Sequence, residues 1–252
     1  MQDILHSSSR RREVVLEPLS LILIAFFAAF TQSLTGFGSG LVAMATFPGL
    51  IGIRVAAPLV ALLCTTIELL LLARYWQALN LRAIRLLVLA LILGAPWGIL
   101  ALRRVDEEIV MGFLGAVLAG YALYALLNPR LPELRQPAWT FGFGFVAGVL
   151  GGAYNTSGPP VVIYGNCRRW SPAEFRGNLQ GFFLVNDLIV ITGHTLSRNM
   201  TALVLHNYLT IAPALLLGVF LGGRLSRRVD PAVFRKIVLV FLLLMGLRML
   251  LV

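Results

Sequence analysis

Two short polar segments interrupt otherwise uncharged sequence: Thr35-Gly36-Phe37-Gly38-Ser39-Gly40 and Asn155-Thr156-Ser157-Gly158-Pro159-Pro160. Each combines flexible glycine with hydroxyl or amide side chains and is followed by apolar sequence able to restart a helix. In the second, Ser157 fits a helix N-cap and Pro159 the first turn, where its missing N–H costs nothing. A restarted helix aims free N–H groups and the positive end of its dipole at the gap, which is the chemistry of an anion site. Neither segment contains a carboxylate that would repel an anion. The candidate anion-binding residues are therefore Thr35, Gly36, Gly38, Ser39, Gly40, Asn155, Thr156, Ser157, Gly158 and Pro159, with Gln32 and Tyr154 near enough to add hydrogen bonds. The competing reading is a pair of structural kinks, with Gln32 and Tyr154 as interhelical hydrogen-bond partners.

Glu68 and Asp187 are single acids inside two other apolar stretches, 55–73 and 177–197. A carboxylate at membrane depth is costly, so it is a functional candidate by default. Neither has a basic partner on its own helix. Arg176 lies 11 residues before Asp187, about 16 Å along the axis, and Arg74 lies six residues after Glu68 on a different face. Both carboxyls suit proton coupling; the alternative is a protonated carboxyl bridging two helices.

The elements that must position these residues are membrane helices. The chain has 252 residues, 58% hydrophobic and only 13% charged, whereas soluble domains are about 25% charged. Uncharged runs cover 18–53, 86–102, 109–129, 136–167 and 199–223; with the two single-acid stretches and the tail 237–252 they make eight helical candidates. The expected fold is an all-α, polytopic transmembrane bundle of about eight spans. The runs 18–53 and 136–167, which hold the two polar segments, are too long for one helix. Each is expected to contain a span plus a broken, re-entrant piece, tolerated only where its backbone is buried in protein or lines a polar cavity.

The halves resemble each other. Leu93-Gly94-Ala95-Pro96-Trp97-Gly98 followed by Arg103-Arg104-Val105-Asp106 recurs 124 residues later as Leu217–Gly222 followed by Arg227-Arg228-Val229-Asp230. At an offset of 119, Glu68 falls opposite Asp187 and Gly38-Ser39-Gly40 opposite Ser157-Gly158-Pro159. The chain thus reads as one transporter-like domain, with repeat 1 at about 18–128 and repeat 2 at about 136–252. Such repeats characterise secondary transporters, whose sites lie where interrupted helices of the two halves meet. Gly94, Gly98, Gly218 and Gly222, and the ladder Gly144, Gly148, Gly152, suit close helix packing.

Other classes fit poorly. The net charge of +10 sits between apolar segments, without the aromatic-interleaved stripe of a nucleic-acid binder. Arg10-Arg11-Arg12 before the first span mimics an export signal, but apolar sequence continues past any cleavage point and has a counterpart in the second half. Two cysteines, Cys64 and Cys167, form no metal-ligand pattern. No phosphate-binding loop, zinc helix or nucleophile motif is present, so neither cofactor nor metal is expected. His194 and His206 read as interfacial or packing residues. With eight crossings the basic residues divide 10 against 11, which leaves orientation open.

These residues resemble the TauE/SafE sulfite exporter family, also called the toluene sulfonate uptake permease group, over about residues 18–252. The resemblance rests on Thr35–Gly40 with Pro48 beyond it, on Gly151-Gly152 leading into Ser157-Gly158-Pro159-Pro160, and on the duplicated Arg-Arg-Val-Asp turns. It implies transport of sulfite, sulfonates, sulfoacetate or related organic anions across a bacterial inner membrane, with the lipid bilayer and a small anion as partners. An intramembrane enzyme or a membrane assembly subunit are the alternatives; the first would need a nucleophile–base pair or a metal-ligand cluster within the membrane.

Overall fold

The computed structural model describes residues 2–129, 131–226, 228 and 230–251, with side chains from Pro18 onward apart from Arg103 and Pro231. The side chains of Arg10-Arg11-Arg12, and Arg130, Arg227 and Val229, lie outside the described residues. The described residues form helices joined by short turns: α1 Gln2–Thr35, α2 Ser39–Thr46, α3 Pro48–Ile51, α4 Ile53–Tyr75, α5 Leu81–Arg104, α6 Glu107–Leu127, α7 Pro137–Tyr154, α8 Gly158–Cys167, α9 Pro172–Leu196, α10 Ala202–Leu225 and α11 Pro231–Leu251.

Six of them are long and apolar enough to cross a membrane: residues 18–35 of α1, α4 with its following turn, α5 up to Leu102, α6, α9 and α10. The other two expected spans correspond to α7 and α11, which are 18 and 21 residues long. Both long uncharged runs break where the polar segments stand: 18–53 divides into α1, α2 and α3, and 136–167 into α7 and α8. The surface is inverted relative to a soluble protein. Leu23, Phe27, Leu93, Trp97, Phe113, Leu209 and Phe220 are exposed, whereas Gln32, Ser39, Glu68, Asn155, Asn178, Gln180, Asn186 and Asp187 are buried. Lipid takes the place of water on the outside, and the polar side chains gather within.

Helices pair extensively as α5 with α7, α1 with α10, α6 with α11 and α4 with α9. The first two pairs are parallel and built on glycine. A Cβ on Gly94 or Gly98 would strike the backbone at Phe145 or Val149 of α7. Gly144 and Gly148 would meet the carbonyls of Leu87 and Leu91 of α5 at 2.5 Å, and Gly152 that of Ala95. In α10, Gly218 and Gly222 meet the carbonyls of Phe26 and Phe30 of α1 at 2.6 and 2.9 Å. Without aqueous hydrophobic drive between membrane helices, such backbone-to-backbone approach is what holds them together.

Helix ends sort to two faces. Arg176 reaches Tyr75 and the Leu34 carbonyl, Arg168 and Arg169 reach the carbonyls of Leu134 and Leu131, and Arg74 lies against Gly223. That face carries Arg74, Arg82, Arg85, Arg135, Arg168, Arg169, Arg176, Arg224, Arg228, Arg235 and Lys236. The opposite face carries Arg54, Arg104, Arg198 and Arg248. Arg104 and Arg228 therefore lie on opposite faces, so the two Arg-Arg turns do not share a side. The even division expected from eight crossings changes because α2–α3 and α8 return the chain toward the faces where α1 and α7 began.

Gly148→Val, which overpacks the α5–α7 contact, is expected to lower the melting temperature in detergent by about 3–10 °C. Gly142→Val, on the same helix with no heavy atom within 4 Å of its Cβ position, should leave it nearly unchanged. Equal behaviour of the two variants would show that the glycine contact is not what joins these helices.

Candidate functional site

The first break is held by two glutamines. The Gln32 amide donates to Gln180 Oε1 at 3.0 Å, and Gln180 Nε2 donates to the Gly36 carbonyl at 2.7 Å. Gln32 Oε1 accepts the Ser39 N–H at 3.2 Å and also the Ser39 hydroxyl. The Ser39 N–H, an orphan at the start of α2, is thus satisfied by a side chain from α1. Gly36 and Gly38 have φ of 89° and 108°, a region open to glycine at little cost, and they let the chain reverse within three residues. The Thr35 hydroxyl closes this turn, 2.9 Å from the Thr31 carbonyl and 2.6 Å from that of Phe37.

The second break uses asparagines. α7 ends with Asn155 in the left-handed region, its N–H returning to the Gly151 carbonyl at 2.8 Å. Asn186 Nδ2 donates to Asn155 Oδ1 at 3.4 Å and to Asp187 Oδ1 at 3.1 Å. Ser157 occupies the N-cap position of α8 as expected, but its side chain makes no capping bond. Pro159 and Pro160 remove two first-turn donors, leaving the Gly158 N–H with the Thr156 and Ser157 hydroxyls. The breaks touch: a Cβ on Gly40 would collide with the Asn155 carbonyl oxygen.

Between the two helix starts lies a cavity of about 20 Å³, lined by Gln32, Gly38, Ser39, Gly40, Leu41, Cys64, Glu68, Asn155, Thr156, Ser157, Gly158, Phe183 and Asp187. That volume suits a single water. Glu68 and Asp187, expected from sequence as separate candidates, meet here from α4 and α9. Cys64, one turn before Glu68, brings its sulfur within 3.3 Å of the Ser39 hydroxyl. One ligand atom each from Cys64, Glu68 and Asp187 lies within 4.8 Å of the others, a grouping able to hold a cation that the sequence spacing does not reveal. Glu68 Oε2, Asp187 Oδ2, Asn155 Nδ2 and Asn186 Oδ1 are buried without a hydrogen-bond partner among the described residues. Donor and acceptor capacity therefore remains on both sides of one small space.

Of the candidate anion-binding residues, Gln32, Gly38, Ser39, Gly40, Asn155, Thr156, Ser157 and Gly158 line this cavity; Thr35, Gly36, Tyr154 and Pro159 do not. Thr35 and Gly36 shape the first turn. Tyr154 stacks on Phe113 with centroids 6.1 Å apart, and Pro159 is buried in α8. Gln180, Asn186 and Cys64 escape sequence reasoning: each is an isolated residue within a helix, and only the parity of Gln32 with a second buried amide could have suggested one of them.

Known proteins resemble this chain over two thirds to nine tenths of its length. The family model described as Sulfite exporter TauE/SafE matches residues 21–249. A relative named "Probable sulfite/organosulfonate exporter TauE", from Cupriavidus necator, is 24% identical over 233 residues, 90% of this chain and 91% of its own. Another, "Probable inner membrane transporter protein TsaS" from Comamonas testosteroni, is 28% identical over 178 residues, 66% of this chain and 70% of its own. No solved structure matches. A family match spanning both broken segments, both buried acids and all of the glycine contacts places this chain in the TauE/SafE sulfite exporter family.

Proposed function

We propose that the chain is a multi-pass inner-membrane secondary transporter of a small sulfur oxyanion, a sulfite or an organosulfonate, and not an enzyme. The observation that carries this reading is the meeting of two broken-helix starts and two carboxyls of apolar helices around one small cavity. The name of the Cupriavidus necator relative supplies the substrate class, and that of the Comamonas testosteroni relative the inner membrane.

Two halves of inverted orientation account for the site. Exchanging α1, α2, α4, α5 and α6 with α7, α8, α9, α10 and α11 turns the pair α5–α7 into α10–α1, and leaves α4–α9 and α6–α11 as they are. The same exchange maps Gly94 and Gly98 onto Gly218 and Gly222, each pair against the first helix of the other half. In this reading ten passes, two of them short and broken, replace the simple eight. Basic residues concentrate on the face of Arg176 and Arg235, which the positive-inside rule assigns to the cytoplasm, with both termini on the other side.

Electrostatics sets the coupling. A unit negative charge 4 Å from an ionised carboxylate costs about 4 kcal/mol at an effective dielectric near 20. A helix N-terminus returns at most about 2 kcal/mol. With Glu68 and Asp187 both facing the cavity, the helix ends alone cannot hold an anion. Protonation of both carboxyls removes the repulsion and turns them into donors, so the anion binds together with protons.

Methanesulfonate stays anionic across the accessible pH range, so its uptake into proteoliposomes isolates the protein's own proton. Flux is expected to rise several-fold for each unit of acidification on the loading side. Glu68→Gln and Asp187→Asn should flatten that dependence. Unchanged pH profiles in both variants would reject the coupling, and absence of any sulfite or sulfonate flux under every imposed gradient would reject the transporter reading. Gln180→Leu should abolish flux and lower stability by about 1–3 kcal/mol, because the Gln32 amide and Gly36 carbonyl lose their buried partner; wild-type flux there would show the amide pair to be dispensable.

A further inference from the structure

A second cavity, of about 370 Å³, lies on the basic face between the end of α1, the α8–α9 turn and the start of α11. Arg176 and Arg235, Asn166 and Trp170 stand in its walls, and no carboxylate lines it among the described residues. Arg176 spends two of its five N–H groups, on the Tyr75 hydroxyl at 2.7 Å and the Leu34 carbonyl at 3.2 Å, leaving three. Arg235 Nε is buried without a hydrogen-bond partner among the described residues, as is the Tyr121 hydroxyl nearby. Neither guanidinium has an ion-pair partner among the described residues. Two under-used guanidinium forks facing one cavity match the planar donor geometry that recognises an oxyanion.

This cavity leads toward the centre. Thr35, Phe37 and Arg235 also wall a narrow apolar space of about 10 Å³, and Gly38 and Leu41 wall both that space and the central cavity. Phe37 stands in the line: the Arg235 guanidinium lies 5.8 Å from its ring centroid, Tyr121 meets it edge-on at 6.3 Å, and its ring lies 4.0 Å from where a Cβ on Gly158 would stand. Its neighbours Gly36 and Gly38, both at positive φ, are the residues best able to absorb a backbone rotation that would swing the ring.

We propose that the Arg176–Arg235 cavity is a vestibule that binds the sulfur oxyanion before it reaches the central site, and that Phe37 is the gate between them. The proposal rests on the transporter reading above and adds a second binding station to it. In export, an anion leaving the cytoplasm meets this station first.

The test uses full-length protein with Trp76→Phe, Trp97→Phe and Trp139→Phe, so that Trp170 in the vestibule wall is the sole tryptophan. Methanesulfonate should shift its emission saturably, with chloride far weaker. Arg235→Gln, which removes the guanidinium from the cavity wall, should weaken binding by about tenfold or more. Arg235→Lys should restore part of the affinity, and Asp187→Asn should leave the Trp170 response in place. An unresponsive Trp170, or equal affinity with and without the Arg235 guanidinium, overturns the vestibule. In proteoliposomes Arg235→Gln should raise the KM for methanesulfonate, and Phe37→Ala should speed exchange; if transport proceeds with neither change, the vestibule and gate are wrong while the transporter stands. Saturable, Arg235-dependent binding in a protein that moves no sulfur oxyanion would uphold the vestibule and reject the transport reading.

Discussion

Every other feature of this protein depends on the requirement that backbone polar groups at membrane depth find partners without water. An unbroken helix meets it internally. Here two uncharged runs are interrupted between buried helices, and the groups released at each gap must be met from elsewhere in the chain. At the first gap the Gln32–Gln180 pair serves the Gly36 carbonyl and the Ser39 N–H. At the second, the chain itself returns the Asn155 N–H to Gly151, Pro159 and Pro160 have no N–H to satisfy, and Asn186 holds the Asn155 side chain. The two gaps solve one problem differently, one with added amides and one with fewer donors.

Bringing the gaps together demands close backbones. Gly40 against the Asn155 carbonyl, and the glycine ladders joining α5 to α7 and α1 to α10, remove side chains where two main chains approach. Close approach in turn brings Glu68 and Asp187 from α4 and α9 to a common space, although 119 residues separate them in sequence. Packing thus places two carboxyls where, on the proposed reading, an anion binds only once they are protonated. A carboxyl pair in this place is a consequence of the same approach that buries the breaks.

The architecture was legible because it follows from solvent. Uncharged runs must cross lipid, and runs of 36 and 32 residues must break, with the place of breakage marked by glycine and proline. Glu68 and Asp187 were legible for the same reason, since an acid in such a run cannot be indifferent. Gln180, Asn186, Cys64 and Arg235 were not legible. A single polar residue in a helix gains its meaning from the helix it faces, and periodicity along one chain does not say which helix that is. Tyr154 shows the converse: adjacency to a break in sequence did not bring its side chain into the cavity, because the α7 register turns it toward Phe113. Even the charge balance needed the fold, since the short return helices reassign whole loops to the opposite face.

Size gives the remaining step. A cavity of about 20 Å³ accepts one water, whereas a sulfonate brings four or more heavy atoms, so on the proposed reading the cavity has to widen to load one. The parts free to move are the short ones. α2 has eight residues and α8 ten, against 21 to 25 in α4, α5, α6, α9 and α10. The α5–α7, α1–α10 and α6–α11 pairs are closed by glycine contacts that leave no slack, and α2 is attached through glycines at positive φ. Opening by a shift of α2 and Phe37 costs a few hydrogen bonds at one gap, whereas opening by sliding α5 over α7 would break a tight interface along several turns. On the proposed reading, movement therefore falls to the broken segments, with the pairs of parallel helices as the frame against which they move.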